Sequence, residues 1–242
     1  GITITPGDST NTDPVDLLGD STIVYAPADN TLSFNGVDWS VGEDETVAIN
    51  YTGDEALTIV LNGSSTIMAD TVIASTADIT ITGDGHLVAE GVTPIVGVSY
   101  ATITFESVNM YVRSVPTPQA LRRRIRYGKK LDENGGPALS GFASADFNKT
   151  SVTPPDAEYG KVEMEESAGG GTINALYTVN ENGDKVIVTE FTLTANDATG
   201  VENMRVRQAF DPTQPMYNVL GIPVDATYKG IVIQNEQTFL LR

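Results

Sequence analysis

Short apolar bursts, each separated from the next by Asn, Gly or Asp, run along the chain from Thr22 to Ser114. Inside each burst the apolar residues alternate with polar ones, which is typical of half-buried β-strands. Almost nowhere does the chain show the spacing of about 3.6 residues that marks an amphipathic helix. The pattern of hydrophobic positions therefore predicts an all-β protein.

The bursts also repeat at a nearly constant interval. Leu57-Thr58-Ile59 returns 22 residues later as Ile79-Thr80-Ile81, and Ile103-Thr104-Phe105 follows after another 24 residues. Ile73 returns as Ile95, again after 22 residues. A period of ~20–25 residues is typical of a solenoid, because each coil buries its apolar positions only against the coils before and after it. The repeat therefore predicts a parallel β-solenoid, or β-helix.

Glycine-bearing corners separate the predicted strands. Asn35-Gly36, Asn62-Gly63 and Gly83-Asp84-Gly85 can supply the positive φ angles that tight corners require. Asn-Gly pairs also mark the β-hairpins of a sandwich, which stays open as the alternative fold. The repeat favours the solenoid over the sandwich.

The same patterns divide the chain into a flexible tether, a solenoid and a terminal unit, which we expect at residues 1–20, 21–195 and 196–242. Within the solenoid, residues 113–136 break the strand pattern and predict a basic excursion from one coil. Residues 171–194 alternate around an Asn-Gly turn and predict a hairpin that caps the open end, since uncapped edges promote aggregation.

The terminal unit begins with a linker and ends in a compact group of strand candidates. Met216–Val219 and Gly230–Ile233 are apolar, a polar turn follows at Gln234–Gln237, and a last apolar run starts at Phe239. The segment MYNVLGIPVDATYKGIVIQNEQTFLLR resembles the C-terminal segments of surface proteins from gut-type Gram-negative anaerobes. Those segments carry a "YNxxG.xV…YKGIVIxNG.K" pattern related to type IX (Por) secretion sorting domains. The resemblance implies an extracellular or cell-surface, outer membrane-associated protein of a Gram-negative bacterium.

A second resemblance covers residues 30–165. The stretch LTIVLNGSSTI…DITITGDGHLVAEG is similar to the coils of adhesin-like, "carbohydrate-binding domain-containing" β-helical surface proteins of the same bacteria. The later stretch GGPALSGFASADFNKTSVTPPDAEYG is similar to their closing coils. This resemblance implies a β-helix fold and, less directly, contact with carbohydrate.

Charge and composition narrow the partners. Lys and Arg total 14 against 32 Asp and Glu, which gives a net charge of -18. A field of that sign repels polyanions, so we expect no nucleic-acid partner. The chain has no cysteine, which excludes disulfides and thiolate sites, and no apolar run of the ~20 residues that span a bilayer. Nothing in the sequence indicates an oligomeric state.

The groups that could carry catalysis are few. The lone histidine, His86, cannot build a multi-histidine zinc site and has no GxSxG motif beside it, so we expect a solvent-facing corner residue. The carboxylates Asp54, Asp70, Asp84 and Glu90 offer the enzymatic alternative, because glycoside hydrolysis needs an acid and a base ~5–10 Å apart. Most of them stand at corners, where Asp caps turns, so we expect structural roles and no catalytic residue.

No cofactor and no metal site are predicted. Asp132–Gly135 and Asn180–Asp184 are rich in oxygen ligands, but neither matches the D-x-[DN]-x-[DN]-G frame of a calcium loop with its distal glutamate. We expect plain turns at both places, with a weak Ca²⁺ site as the alternative.

Two groups of residues could bind a ligand. Aromatic rings can stack on sugars, and a basic run opposite in sign to the whole chain can contact an acidic glycan. The candidates are Trp39, Tyr100 and Tyr111 as rings and Arg122, Arg123, Arg124 and Arg126, with Tyr127, as the basic contact. Trp39 could instead cap the first coil, and the basic run could be a solvated loop.

These features favour a non-catalytic extracellular or cell-surface β-solenoid that serves adhesion or glycan binding, with a glycan or surface polymer as partner. Two alternatives stay open. One is a polysaccharide lyase or glycoside hydrolase of the short β-helix type, and the other is a structural stalk that has no specific ligand.

Overall fold

The computed structural model of the 242-residue chain describes residues 1–6, 13–42, 45–115, 136–163 and 171–196, and a set of strands between residues 216 and 241. Two compact units divide the chain, Gly1–Asp197 and Ala198–Arg242. All regular elements of the described residues are β-strands, and this part of the chain holds no helix that could cross a bilayer.

The first unit is a parallel β-solenoid, and each of its coils contributes one strand to each of three sheets. Three strands precede the coils: β1 (Ile2–Ile4), β2 (Val15–Asp16) and β3 (Ile23–Ala26). Four successive coils of three strands each follow in the described residues. The first coil holds β4 (Thr31–Asn35), β5 (Asp38–Ser40) and β6 (Val47–Tyr51), and the second holds β7 (Leu57–Asn62), β8 (Ser64–Met68) and β9 (Thr71–Ser75). The third holds β10 (Ile79–Thr82), β11 (His86–Gly91) and β12 (Ile95–Val96), and the fourth holds β13 (Thr102–Glu106), β14 (Asn109–Ser114) and β15 (Leu139–Ser140).

Each sheet consists of strands from successive coils, paired in parallel. We call the sheet of β6, β9, β12 and β15 sheet A, that of β4, β7, β10 and β13 sheet B, and that of β5, β8, β11 and β14 sheet C. The predicted parallel β-solenoid is confirmed, and the sandwich alternative is wrong.

The repeat sets the register of the coils. Leu57 and Ile59 pair with Ile79 and Ile81, and Ile81 pairs in turn with Phe105. These side chains are fully or almost fully buried, whereas the threonines between them are half-buried on the outer face. Columns of aliphatic and aromatic side chains therefore fill the interior, because removing apolar surface from water stabilises the stacked coils.

The corners between sheets B and C have the backbone that the sequence predicts. Gly36, Gly63 and Gly83 have φ angles of 77°, 74° and 115°. These values lie in the region that glycine enters without steric cost. The glycine corners thus let each coil turn from sheet B into sheet C within one to three residues.

Strands of the predicted tether join the solenoid at its start. β1 pairs in parallel with β6 in sheet A, and its residue Ile4 is buried. β2 pairs antiparallel with β3, which pairs antiparallel with β4 in sheet B. Residues 2–4 and 15–16 of the expected tether therefore lie in solenoid sheets. Residues 2–4 do so because Ile2 and Ile4 continue the column of inward side chains of β6.

The far end of the solenoid closes mainly with antiparallel strands. They follow β16 (Ser144–Asn148), which extends sheet B in parallel, and are β17 (Thr150–Thr153), β18 (Glu158–Glu163), β19 (Thr172–Val179), β20 (Lys185–Ile187) and β21 (Glu190–Ala195). β19 pairs with β15, β18 and β20, and β21 lies between β14 and β17 in sheet C.

The predicted capping hairpin is thus present in part. β19 and β20 form a hairpin around Asn180–Gly183, but its second arm ends at Ile187. Val188 is buried where the chain crosses from sheet A, and β21 then adds to sheet C. The segment predicted as one strand therefore forms two, because Ile187 packs beside sheet A, whereas Phe191 and Leu193 are buried under sheet C.

The second unit is an antiparallel four-stranded sheet. It consists of β22 (Met216–Asn218), β23 (Pro223–Val224), β24 (Gly230–Gln234) and β25 (Gln237–Leu241), in the order β23-β22-β24-β25. β22, β24 and β25 match the apolar segments that the sequence predicts, whereas β23 lies where no strand is predicted. β24 and β25 pair around the polar turn.

Candidate functional site

The outer face of sheet C carries a group of polar side chains around Tyr111, one of the predicted rings. Strand pairing aligns its outward residues in three rows, of which the second and third run from β5 to β21. The first row holds Ser64, His86 and Asn109, the second Asp38, Thr66, Val88, Tyr111 and Thr192, and the third Ser40, Met68, Glu90, Arg113 and Glu190.

These residues point outward because their neighbours along each strand are buried. Leu87, Met110 and Leu193 are 0%, 0% and 1% exposed, and they fill the interior. Since side chains alternate between the two faces of a strand, the residues beside them must lie on the solvent side. A rigid sheet thus fixes the spacing of the three rows.

Glu90, Arg113 and Glu190 of the third row form an ion-pair trio. The Arg113 guanidinium lies 3.9 Å from a Glu90 oxygen and 3.5 Å from a Glu190 oxygen. Arg113 and Glu190 are about half exposed, so pairs of this kind contribute only ~0–1 kcal/mol to stability. The trio is better suited to hold its members in place and to present donors and acceptors to a ligand.

Tyr111 occupies the centre of the face, between Val88 of β11 and Thr192 of β21. Partial burial raises the pKa of Tyr111, and the negative charge of the nearby Glu190 carboxylate raises the pKa further. The tyrosine therefore lies beside the ion-pair trio.

An open cleft of about 420 Å³ lies at the other end of the rows, at the corner between sheets B and C. It is lined by Gly63, Ser64, Asp84, Gly85, His86, Asn109, Thr192, Leu193 and Thr194. A methyl group on Gly85 would collide with the backbone of Leu61 and Gly63, so glycine is required at this corner. The lining supplies hydroxyls, an amide, an imidazole and a carboxylate, which together can hydrogen-bond a polyhydroxylated ligand.

Metal ligation finds no support in the described residues, which contain no group of three or more His, Asp or Glu side chains placed to hold an ion. In the turn at Asn180–Asp184, the Asn180 Oδ1 accepts hydrogen bonds from the backbone amides of Asn182 and Asp184. Its oxygen is therefore used within a plain turn. The other predicted loop, Asp132–Gly135, lies outside the described residues.

The predicted sugar-stacking rings do not come together. Trp39 pairs in register with the buried Ile67 and packs against the core, on the side of sheet C opposite to Tyr111. Tyr100 is 75% exposed in the turn between β12 and β13, where sheet A meets sheet B. Of the three rings, Tyr111 alone lies on the outer face of sheet C.

The basic residues Arg122, Arg123, Arg124 and Arg126, together with Tyr127, lie outside the described residues. Arg113, at the start of the predicted excursion, belongs to β14. Its two carboxylate partners come from other strands, so this guanidinium is part of a mixed-charge site.

The carboxylates and the histidine of the enzymatic alternative are also dispersed. Asp84 and His86 line the cleft, while Glu90 belongs to the ion-pair trio. Asp54 precedes β7 and Asp70 precedes β9, each at a different corner of the solenoid. His86 is the first residue of β11, next to the predicted corner, but its side chain is half-buried and lines the cleft rather than facing open solvent.

Sequence reasoning missed several residues of the site. Asn109 could have been found, because the coil repeat places it beside His86. Glu190, Thr192 and Thr194 carry no such signal, since β21 joins sheet C antiparallel and outside the repeat. No family model matches the chain, and comparisons with curated proteins and with solved structures give no match either.

Proposed function

We propose that the protein is a non-catalytic extracellular or cell-surface β-solenoid that binds a glycan on the outer face of sheet C. The observation that carries the proposal is the position of Tyr111. Its ring lies between the ion-pair trio and the hydroxyl-lined cleft. Sugars are commonly held by one aromatic ring against their apolar face and by charged or amide groups on their hydroxyls.

The dimensions of the face support an oligosaccharide ligand. Successive outward residues on one strand are ~7 Å apart, so His86 and Glu90 of β11 are separated by ~13 Å. That length accommodates a short oligosaccharide rather than one sugar ring. Because the contacts lie on paired strands, little ordering entropy would be lost on binding.

The ionisable groups of the cleft support binding rather than hydrolysis. Among the described residues that line it, Asp84 is the one carboxylate and His86 the one imidazole. Glycosidases generally place two carboxyl groups on either side of the scissile bond. The surface location in turn is supported by the resemblance of the terminal segment to sorting segments and by the strands found there.

The proposal is tested by binding of the purified protein to a glycan array, followed by titration of the best glycan. Tyr111→Ala should weaken binding roughly tenfold, because a buried ring contact is worth ~0.5–1.5 kcal/mol beyond its area. Tyr111→Phe should retain most of the affinity. Tyr100→Ala is the matched control, since it removes an exposed tyrosine from another part of the solenoid.

Three results would contradict the proposal. One is the absence of any glycan ligand, and another is unchanged affinity in a folded Tyr111→Ala variant. The third is the release of new reducing ends or unsaturated uronates from a bound polysaccharide. That result would establish the lyase or hydrolase alternative.

A further inference from the structure

We infer, on the basis of the proposed glycan function, that the ligand is an amino sugar oligosaccharide with free, protonated amines. The argument concerns the charges around Tyr111. Four carboxylates, Asp38, Asp84, Glu90 and Glu190, lie on or beside the described outer face of sheet C, and Arg113 is the one guanidinium among them. The five groups together leave three net negative charges on a face that carries a sugar-sized ring.

Arg113 is a poor anion-binding group, because its charge is shared by two carboxylates that lie 3.9 and 3.5 Å from its guanidinium nitrogens. An acidic sugar that approached Arg113 would be repelled by both glutamates. The trio therefore disfavours uronates and sulfated sugars.

Glu190 has acceptor capacity left for a cation. A carboxylate offers about four lone-pair sites. One Glu190 oxygen faces Arg113 at 3.5 Å, and the side chain remains 53% exposed. An ammonium group can approach from the solvent side and donate a charge-assisted hydrogen bond to a free lone pair.

The position of Glu190 relative to the ring defines where the amine would lie. Glu190 pairs with Arg113, two residues along β14 from Tyr111, which is a step of ~7 Å. A sugar stacked on Tyr111 would therefore place an amine of the same or the adjoining unit over Glu190. The other end of the oligosaccharide would extend toward the hydroxyl-lined cleft.

The charge of the whole chain acts in the same direction. A net charge of -18 attracts cationic ligands at long range and repels acidic ones. This inference differs from the acidic glycan expected for the basic run at residues 122–126, which lies outside the described residues.

The test compares three glycans of equal length by calorimetry at low ionic strength and pH 6: a β-1,4-linked glucosamine oligomer, its fully N-acetylated form and a galacturonate oligomer. The glucosamine oligomer should bind about tenfold more tightly than the N-acetylated form, and added salt should shrink the difference. Glu190→Gln should weaken binding of the glucosamine oligomer ~2–5-fold and should affect binding of the N-acetylated form less, because only the glucosamine oligomer loses a charge-assisted contact.

Glu163→Gln is the matched control, because it removes an exposed carboxylate from β18, outside sheet C. Glucosamine binding that survives both Tyr111→Ala and Glu190→Gln, or equal binding of an oligolysine of the same charge, would mean diffuse attraction of polycations and would overturn the inference.

The remaining outcomes separate this inference from the proposed function. Equal or tighter binding of the N-acetylated or galacturonate oligomer overturns the amine preference and leaves glycan binding standing. If the array identifies a different glycan and none of the three oligomers binds, the amine preference is likewise overturned and glycan binding stands. Failure of both the array and the probes overturns the proposed function and the inference together.

Discussion

The side-chain amide of Asn30 donates a hydrogen bond to the hydroxyl oxygen of Tyr51, with a nitrogen–oxygen distance of 2.6 Å. Asn30 also accepts a hydrogen bond from the Tyr25 hydroxyl and donates one to the carbonyl of Ala56. Tyr51 in turn donates its proton to the carbonyl of Glu55. This buried network connects sheet B to the corner that follows β6 of sheet A. Asn30 itself has a φ angle of 48°, in the left-handed region.

Replacing Asn30 by alanine should lower the free energy of unfolding by about 2–4 kcal/mol. The substitution leaves buried hydroxyl and carbonyl groups without this hydrogen-bond partner, which costs ~1–3 kcal/mol. It also places alanine in the left-handed region of φ, which costs a further ~1–2 kcal/mol because its side chain cannot form the local hydrogen bonds of asparagine. Urea denaturation measures the loss. Asn30→Gly should cost less than Asn30→Ala, because glycine removes only the first of these two terms, so equal losses would contradict the backbone contribution.

A second prediction concerns the close stacking of coils at Gly91. A methyl group there would collide with the backbone carbonyls of Ala69 and Asp70 in the preceding coil. Gly91→Ala should therefore destabilise the protein by ~1–3 kcal/mol or more, as overpacking does. Gly42→Ala is the matched control, because its methyl would meet nothing within 4 Å, and it should be neutral or stabilising by ~0.4–1 kcal/mol. Thermal unfolding compares the two, and similar effects would argue against the coil contact.

A third prediction is alkaline destabilisation through Tyr159. Burial raises the pKa of Tyr159 from 10.0 to about 12, and the Tyr159 hydroxyl donates a hydrogen bond to the carbonyl of Phe142. Above pH 10 the unfolded chain releases this proton while the folded protein retains it. The unfolded state then binds fewer protons, so stability must fall as pH rises from 10 to 12.

Tyr159→Phe should flatten this loss, since phenylalanine has no proton to release. Urea unfolding at several pH values between 8 and 12 would show a shallower decline than in the parent protein. A residual slope is expected, because burial also raises the pKa values of Tyr25 and Tyr51. An unchanged slope in Tyr159→Phe would contradict a raised pKa at this residue.

The interior of the solenoid was predictable because stacking imposes a local rule on the sequence. Ile59, Ile81 and Phe105 form one column, and each could be placed from the repeat alone. The glycine corners were predictable for a similar reason, since positive φ angles restrict the residue type.

The outer face was less predictable, because a ligand site needs residues from strands that no repeat relates. β21 supplies Glu190 and Thr192 by antiparallel pairing, and this crossover follows from burial of Val188 and Phe191 rather than from any local pattern. Trp39 illustrates the opposite problem. Strand register pairs Trp39 with the buried Ile67, so its ring packs inward on the core, and the sequence alone does not reveal which side of the strand it occupies.

A fourth prediction tests the two sides of one strand directly. Ile81 and Thr80 are adjacent in β10, but Ile81 is fully buried between Ile59 and Phe105, whereas Thr80 lies half-buried on the outer face. Ile81→Ala should lower the free energy of unfolding by ~2–5 kcal/mol, because it removes apolar contacts and leaves a cavity in the column. Thr80→Ala should lower the free energy of unfolding by no more than about 1 kcal/mol. Urea unfolding of the two variants gives the comparison. Because both substitutions remove a β-branched residue from the same strand, their shared loss of strand propensity cancels, and the difference reports the stacked interior. Comparable losses would mean that the column does not hold the coils together.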